Sequence, residues 1–541
     1  VRTTPPPFIW GFVVIVYVLS FLTFLQQGED SYITFRYLEQ FISGRGLVFN
    51  AGERVEGYSN LLWLLVLAPF AWVGLPLHVV SQFLATTAFA ALVPTAWWIA
   101  ERLRLSAGRW LLPALITFEP LLHYHDDRGL ETVPYAAAIA GALLLVGGGG
   151  SVLVAGSLGA AAALFRPEGI LFACALGSTL LWSEGRFPER LRRLAIYLAP
   201  IVLVFVAQMI FRRFYYGEWV PNTVIAKSSG GGGGTLQLVA YTTTRLGLPA
   251  LAAVGFLLAL RQKEWRVLAL GGLALHVAAI LFQLRAGGLL NEGFRYLAPL
   301  FPLTAVGLAL GVASLWEDLR FPAAIAFLLL HPILLFSEPQ PGEPWLLRGN
   351  GNAPRSLLHV RVFEAGTYNI PARLRHYLSP PQHLNADAGR WTAANLPEGV
   401  LLAGDQLGQW AFFAGKNRPV VDLLGLMDRH VARHGVSAEY LLDRTPKYII
   451  LESCLDTFYW PEVARLQPHV PHLRTLMADP QVSSTWRLRW MLRPRLSFAQ
   501  LGFGVWVHRS VDDGQPLEEV RVGLTDSEFE RAWRVLGEER K

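Results

Sequence analysis

The sequence predicts an α-helical polytopic membrane protein that carries one further soluble α/β domain. Three observations lead there. Of 541 residues, 52% are hydrophobic and only 16% are charged, whereas soluble domains average about 25% charged. Apolar runs follow one another from Phe8 to about residue 337, and the mean hydropathy is +0.35. Beyond a Pro-, Gly- and Arg-rich stretch at 337–360 the composition becomes that of a soluble protein.

The first apolar run, Phe8–Leu25, lacks a small-residue cleavage site and reads as a retained first span. It leads into a polar loop at 26–60. Leu61–Val73 is only 13 residues long and reads as an interfacial helix. Further apolar runs lie at roughly 77–100, 109–122, 131–147, 151–165, 169–182, 194–211, 237–260, 266–284, 296–315 and 320–337. A span needs about 20 residues, so several of these are short. Gly147–Gly150 marks a tight turn, and Gly230–Gly234 a flexible loop. In the tail, Val400–Ala403, Pro419–Leu423 and Tyr448–Leu451 read as short buried strands. Trp391–Leu396 and Asp428–His434 read as helices between them, and Ser527–Lys541 as a terminal amphipathic helix.

Charge orients the segments. The net charge of +6 is not a nucleic-acid signal, because much of the basic excess sits in short loops between apolar runs. The loops at 101–109, 183–193 and 261–266 are net basic. Basic loops stay on the cytoplasmic side. That count gives about 11 transmembrane helices plus juxtamembrane helices, an inside N-terminus and an outside C-terminal domain. It also places the polar clusters at 123–131, 166–168, 212–235 and 285–296 on the outer face with Glu29 and Asp30. The expected division is a transmembrane domain at 1–337, a linker at 338–360 and an extracytoplasmic α/β domain at 361–541. Cys174 lies in an apolar run and Cys454 in the polar tail, so no disulfide between them is expected.

Acidic residues are costly in hydrocarbon, so the adjacent carboxylates Glu29 and Asp30 at the end of a span suggest a site facing water. A solvated helix end would carry such residues too. The string from Glu29 to Trp63, EDSYITFRY…GRGLVFNAGERVEGYSNLLW, narrows the choice. It resembles the first outer loop of the GT-C glycosyltransferases, most closely their terminal arabinofuranosyltransferase-like, polyprenyl-phosphate-sugar-dependent members. Further matches follow in order: GLET at 129–132, RPEG at 166–169, PNTVIAK at 221–227, Arg295–Tyr296, and VVDLLGLMDRH at 420–430.

The resemblance implies an inner-membrane enzyme that takes a sugar from a polyprenyl-phosphate donor on the outer face. The sugar, arabinofuranose among the candidates, passes with inversion to a glycan, lipid or protein acceptor. A first-loop carboxylate acts as general base. The family's leading Asp is Glu29 here, so Glu29 or Asp30 is the base, with Asp30 preferred. Two adjacent carboxylates repel, which raises one pKa and suits it to that role.

Lys227 and Arg295 are the candidates for stabilising the leaving lipid phosphate. Arg166, held beside Glu168, either meets the donor phosphate or neutralises its neighbour. Tyr32, Arg36, Tyr58 and Asn60 are expected to shape the sugar site, with Asn222 and Tyr296 in the same outer loops. His123, His125, Asp126 and Asp127 suit acceptor steering, and Glu131 sits at a helix start. No specific metal signature is present, which leaves a divalent cation, Mg or Mn, open as a cofactor. The rivals are a non-catalytic lipid-linked-saccharide transporter or flippase and a degenerate glycan-binding relative.

Overall fold

A computed structural model describes residues 4–23, 28–105, 108–126, 128–228, 234–245, 247–286, 292–315, 384–455, 466–468, 471–494 and 501–523. The run at 320–337, the linker at 338–360, Asp127, Ser527–Lys541 and most of Gly230–Gly234 lie outside these residues.

The N-terminal part is a helical assembly. α1 (Pro7–Thr23) begins at a proline run and α2 (Ser31–Ile42) lies in the first loop. α3 (Leu61–Trp72) is short and apolar, and Trp72 at its end is 83% exposed. Then come α4 (Leu77–Arg102), α5 (Gly108–Thr117), α6 (Pro120–Asp126), α7 (Thr132–Gly147), α8 (Val152–Phe165) and α9 (Gly169–Ser178). α10 (Phe187–Tyr215), α11 (Asn222–Ser228), α12 (Gly234–Thr244), α13 (Leu248–Ala259), α14 (Arg266–Ala286) and α15 (Leu300–Leu315) complete it.

Among the described residues, three helical stretches are long and apolar enough to cross a membrane: Leu77–Arg102, Phe187–Tyr215 and Lys263–Ala286. A fourth span results if α12 and α13 are read as one broken element. Six more apolar helices are shorter, Leu61–Trp72 among them. α10 carries its own start signal: the Glu189 side chain reaches back to the Arg186 amide, with Pro188 in the first turn. Val202, Leu203, Val206 and Ile210 on α10 are exposed, as expected of a lipid-facing helix. α13 and α15 cross at Gly255 and Gly307, where a Cβ on either would strike the facing backbone. Small residues let membrane helices approach this closely.

The basic loops gather at one end. Lys263 pairs with Glu184 at 3.4 Å, the Trp265 indole donates to the Leu103 carbonyl at 2.9 Å, and Arg102 donates to the Gly149 carbonyl at 3.2 Å. α7 and α8 run between that end and the turn Arg166–Glu168. The 14 residues of α8 reach only about 21 Å, against roughly 30 Å of hydrocarbon. The Arg166 turn is therefore sunk into the assembly.

The C-terminal part is one mixed sheet with short helices. Its strands are β1 (Leu402–Gly404), β2 (Val420–Asp422), β3 (Tyr448–Leu455), β4 (Leu466–Pro468), β5 (Trp486–Pro494), β6 (Leu501–His508) and β7 (Glu518–Val522). The order is β2-β1-β3-β6-β5-β7, with β4 on β3. β1 lies between β2 and β3, parallel to both, and β3 and β6 are antiparallel. The helix Gln409–Ala414 follows β1 and lies against α2 of the first loop.

Candidate active site

α2 is a two-faced helix, and its faces separate the residues of the first-loop string. Asp30 caps it with helical dihedrals (φ −59°, ψ −25°), so Glu29 and Asp30 point about 100° apart. Glu29, Tyr32, Arg36 and Gln40 follow an i, i+3, i+7, i+11 stripe that meets the C-terminal domain. Asp30, Thr34 and Tyr37 follow another that meets the membrane domain and the rest of the first loop.

On the membrane side, Asp30 Oδ2 accepts from Arg295 Nη1 at 2.7 Å. The Asp30 side chain is 43% exposed and that of Arg295 17%. Burial would raise the Asp30 pKa, but Arg295 and then Lys227 outweigh it and hold the carboxyl below its ordinary value. Lys227 is exposed and makes no ion pair or hydrogen bond among the described residues.

Beneath this pair lies a buried polar layer. Arg166 Nη1 donates to Glu131 Oε1 at 2.8 Å, and Arg166 Nε to Glu168 Oε1 at 2.5 Å. Asn60 Nδ2 donates to Glu131 Oε2 at 2.9 Å and to Thr34 Oγ1 at 3.1 Å. The Arg166 guanidinium stands 5.4 Å from the Tyr296 ring centre. Segments 30, 60, 131, 166–168, 227 and 295–296, scattered over the sequence, are thus brought together. Their ionised side chains balance: Asp30, Glu131 and Glu168 against Arg166, Lys227 and Arg295.

On the other face, Glu29 Oε1 accepts from the Gly408 and Gln409 amides at 2.5 and 3.1 Å. Burial and the Asp30 charge raise the Glu29 pKa well above its ordinary value, and the two amides only partly offset this. Arg36 is fully buried and donates to the Ala411 carbonyl, to the Arg418 carbonyl at 2.7 Å and to the Phe49 carbonyl at 3.2 Å. Tyr32 packs on Phe35, Phe412 and Phe413.

Several residues expected at the sugar site therefore sit elsewhere. Tyr32 and Arg36 lie in the junction with the C-terminal domain. So does Asn222, which donates to the carbonyls of Gly425, Leu426 and Asp428. Tyr58 is buried and bonded to Tyr216 at 3.0 Å. His123 is held between Ser20 and the Thr117 carbonyl, Asp126 accepts from Ser20 and Thr86, and His125 stacks on Phe301. That cluster ties α1, α4 and α6 together inside the bundle.

Among the described residues no metal cage is formed. Asp30 is matched to Arg295 and Glu29 to two amides, and no group of three or more His, Cys, Asp or Glu among the described residues is arranged to hold an ion.

Sequence reading missed two further buried ion pairs, Glu56–Arg212 at 2.8 Å and Glu119–Arg245 at 2.7 Å. Arginines next to long apolar runs were the available signal. It also missed Gly408, whose role shows only when the two domains meet. A cavity of about 550 Å³ at that junction is lined by Arg54, Tyr215, Asp428, His430, Tyr440 and Arg444, and does not include the Asp30 cluster.

Residues 375–507 match a family described as a domain of unknown function (DUF8728). A terminal beta-(1->2)-arabinofuranosyltransferase of Mycobacterium tuberculosis is 29% identical over 240 residues, 38% of this chain and 35% of that protein. Its namesake in Corynebacterium glutamicum is 26% identical over 347 residues, 54% of this chain and 49% of that protein. The chain thus spans about a third and about half the length of these relatives. The crystal structure of ArnT from Cupriavidus metallidurans, bound to undecaprenyl phosphate, superposes with a TM-score of 0.53 at 14% identity, covering 93% of this chain and 98% of that one.

The likeness to ArnT is one of fold: the helical assembly described above has the same overall arrangement. In this chain the first loop is α2 with its flanks, and the polar layer under Asp30 is built from the helix ends that face it.

Proposed function

We propose that this chain is a glycosyltransferase that moves a sugar from a polyprenyl-phosphate donor to an acceptor hydroxyl, with Asp30 as the general base. The observation that carries this is the placement of one ionised carboxylate, Asp30, beside two cations, Arg295 and Lys227, at the edge of the bundle. Glycosyl transfer from a lipid phosphate needs that combination: a group that accepts a proton and groups that stabilise a departing phosphate.

The step balances as follows. Asp30 takes the proton of the acceptor hydroxyl as its oxygen attacks the anomeric carbon. The bond from that carbon to the phosphate oxygen breaks, and the lipid phosphate leaves with the electron pair. The configuration inverts. Arg295 keeps Asp30 ionised but lowers its basicity. A donor phosphate between Arg295 and Lys227 competes for the guanidinium and returns basicity to Asp30. Once Asp30 is protonated, the Arg295 charge is free for the leaving phosphate.

The donor is a polyprenyl-phosphate pentose or hexose. The arabinofuranosyltransferase relatives favour arabinofuranose as the sugar, and the acceptor is an envelope glycan, lipid or protein. The site faces the outer side of the cytoplasmic membrane, because the basic loops cluster at the far end of α7 and α8. The remaining polar residues of the layer, Glu131, Arg166, Glu168, Asn60 and Tyr296, support the floor of the site.

The test is sugar transfer by the purified full chain in nanodiscs, offered a panel of polyprenyl-phosphate sugars and mixed envelope glycans. One donor is consumed, and Asp30→Asn lowers its turnover at least about 10³-fold while donor binding survives. Binding of lipid-linked sugars without any transfer, across a widened acceptor panel, moves the transporter and binding-only readings ahead.

A further inference from the structure

The helix Gln409–Ala414 is clasped at both ends by α2. Its first amides, Gly408 and Gln409, donate to Glu29. At its other end the Ala411 carbonyl accepts from Arg36, and the Gly415 carbonyl lies 3.4 Å from the same guanidinium. Seven residues of α2 rise about 10 Å, and the six of Gln409–Ala414 about 9 Å, so the two reach together. Tyr32 and Phe35 fill the space between with Phe412 and Phe413. An acidic residue at the helix start and a basic one at its end also match the helix dipole.

The clasp sits at a defined place in the sheet. β1 has parallel neighbours on both sides, so its carboxyl end is a switch point of the kind where α/β sheets take ligands. Here that crevice takes a side chain of the same polypeptide. Asp405 lies at the end of β1 and accepts from the Glu452 amide of β3. The charged groups facing Glu29 are Asp30 on its own loop and Glu452 across the junction; Arg295 and Lys227 lie beyond Asp30.

Given the reading of Asp30 as base, we infer that Glu29 is a positioning residue: its Oε1 latches the C-terminal domain by accepting from the Gly408 and Gln409 amides. Both amides converge on that one oxygen, while Asp30, one position on, turns to Arg295. The C-terminal domain thereby fixes the rotation of α2 and with it the aim of Asp30.

This assignment gives a pattern opposite to that of a base. Gln keeps the acceptor: its carbonyl accepts from both amides. Asp is ionisable but one methylene too short to reach them. The experiment compares Glu29→Gln, Glu29→Asp, Gly408→Ala and Asp30→Asn in the full chain in nanodiscs, using the donor that the wild type consumes. Steady-state rates are read together with hydrogen exchange of the segment 405–414.

The latch predicts that Glu29→Gln keeps kcat within about fivefold and keeps segment 405–414 protected. Glu29→Asp lowers kcat about 10- to 100-fold with little change in donor KM, the scale expected of a displacement near 1 Å, and its amides exchange faster. Gly408→Ala leaves Glu29 chemically intact but puts a methyl against its backbone carbonyl, and behaves like Glu29→Asp. The inference is overturned if Glu29→Gln falls to the level of Asp30→Asn while Glu29→Asp stays above it, since that is the signature of a base. It is also overturned if Glu29→Asp keeps both full rate and full protection. A wild type that transfers no sugar refutes the proposed function instead, and the exchange data still decide whether the latch exists.

Discussion

Asp30 and Arg295 lie 265 residues apart in the chain and meet at 2.7 Å. The pair joins the start of α2 to the short helical turn before α15. It is one of the points at which the first loop, which also holds the C-terminal domain, touches the end of the helical bundle. It also sets the charge state of the residue on which the proposed chemistry depends.

The first prediction concerns pH. Arg295 and Lys227 hold the Asp30 pKa below its ordinary value. A depressed carboxylate works above its folded-state pKa and fails as pH falls through it. The wild-type kcat/KM, which reports the free enzyme, therefore persists below the usual carboxylate range. Arg295→Gln removes the larger of the two cationic influences, so the acid limb of kcat/KM moves to higher pH. The same change lowers kcat at neutral pH by about 10²- to 10³-fold, because the leaving phosphate loses a cation. The pH profiles of kcat/KM and kcat measure the two effects, and an acid limb of kcat/KM that stays in place argues against Asp30 as the titrating base.

The second prediction concerns the floor of the site. Arg166 is 7% exposed and is shared by Glu131 and Glu168, themselves 5% and 7% exposed. Removing it leaves two uncompensated buried carboxylates. Arg166→Met should destabilise the chain by about 3–5 kcal/mol, the usual cost of breaking a buried pair. Arg166→Lys should recover only part of this, since an ammonium lacks the fork that reaches both partners and the flat face turned to Tyr296. Thermal unfolding in detergent reads both variants, and a Lys variant as stable as wild type would show that geometry is unimportant here.

Much of this arrangement was legible in the sequence. Among the described residues the apolar runs became helices, with 109–122 and 237–260 each broken in two, because hydrophobic continuity is a local property. Strands β1, β2 and β3 fell where short apolar runs predicted them. Asp30, Glu131, Arg166, Glu168, Lys227 and Arg295 were all named, and the structure gathers them, because charges beside long apolar runs are conspicuous. The faces of α2 were not legible. Tyr32 and Arg36 are polar residues in the same loop as Asp30, and only the packed C-terminal domain shows that their stripe faces away from it. Gly408 was invisible for the same reason: its significance is a contact 379 residues away in sequence.

The third prediction concerns the sheet. Asp405 is 3% exposed; its Oδ1 accepts from two amides and its Oδ2 has no partner. Burial pushes its pKa up to about 8, and burial likewise takes Asp422 to about 6. Unfolded aspartates titrate near 4, so between pH 4 and 8 the folded state holds more protons. The stability these groups contribute is full below about pH 4 and is lost as pH rises through 6 and then 8. Asp405→Asn keeps the acceptor for both amides and cannot ionise. It should slow hydrogen exchange of β1 and β3 at pH 8, by an amount equivalent to roughly 1–3 kcal/mol, and change little at pH 5. Equal effects at the two pH values would show that Asp405 is not titrating.

The last prediction separates docking from chemistry. Arg36 serves backbone carbonyls on both sides of the junction: Phe49 in the first loop, and Ala411 and Arg418 in the C-terminal domain. Its charge is buried, with Glu39 as the carboxylate that acts on it electrostatically, and the guanidinium is further stabilised by carbonyl dipoles and by the Phe49 ring, 4.5 Å from its centre. Lysine offers a point charge with three donors and cannot reproduce a planar fork aimed at separated acceptors. Arg36→Lys should strand at least one buried carbonyl and weaken the junction by about 1–3 kcal/mol. Because Arg36 lies two turns beyond Glu29 on the same face, the variant should loosen the far end of the clasp first. Hydrogen exchange should then rise at 411–418 more than at 405–409, and kcat should fall less than in Glu29→Asp. The reverse order, with the 405–409 segment released first, would mean that the two ends of α2 do not grip the domain independently.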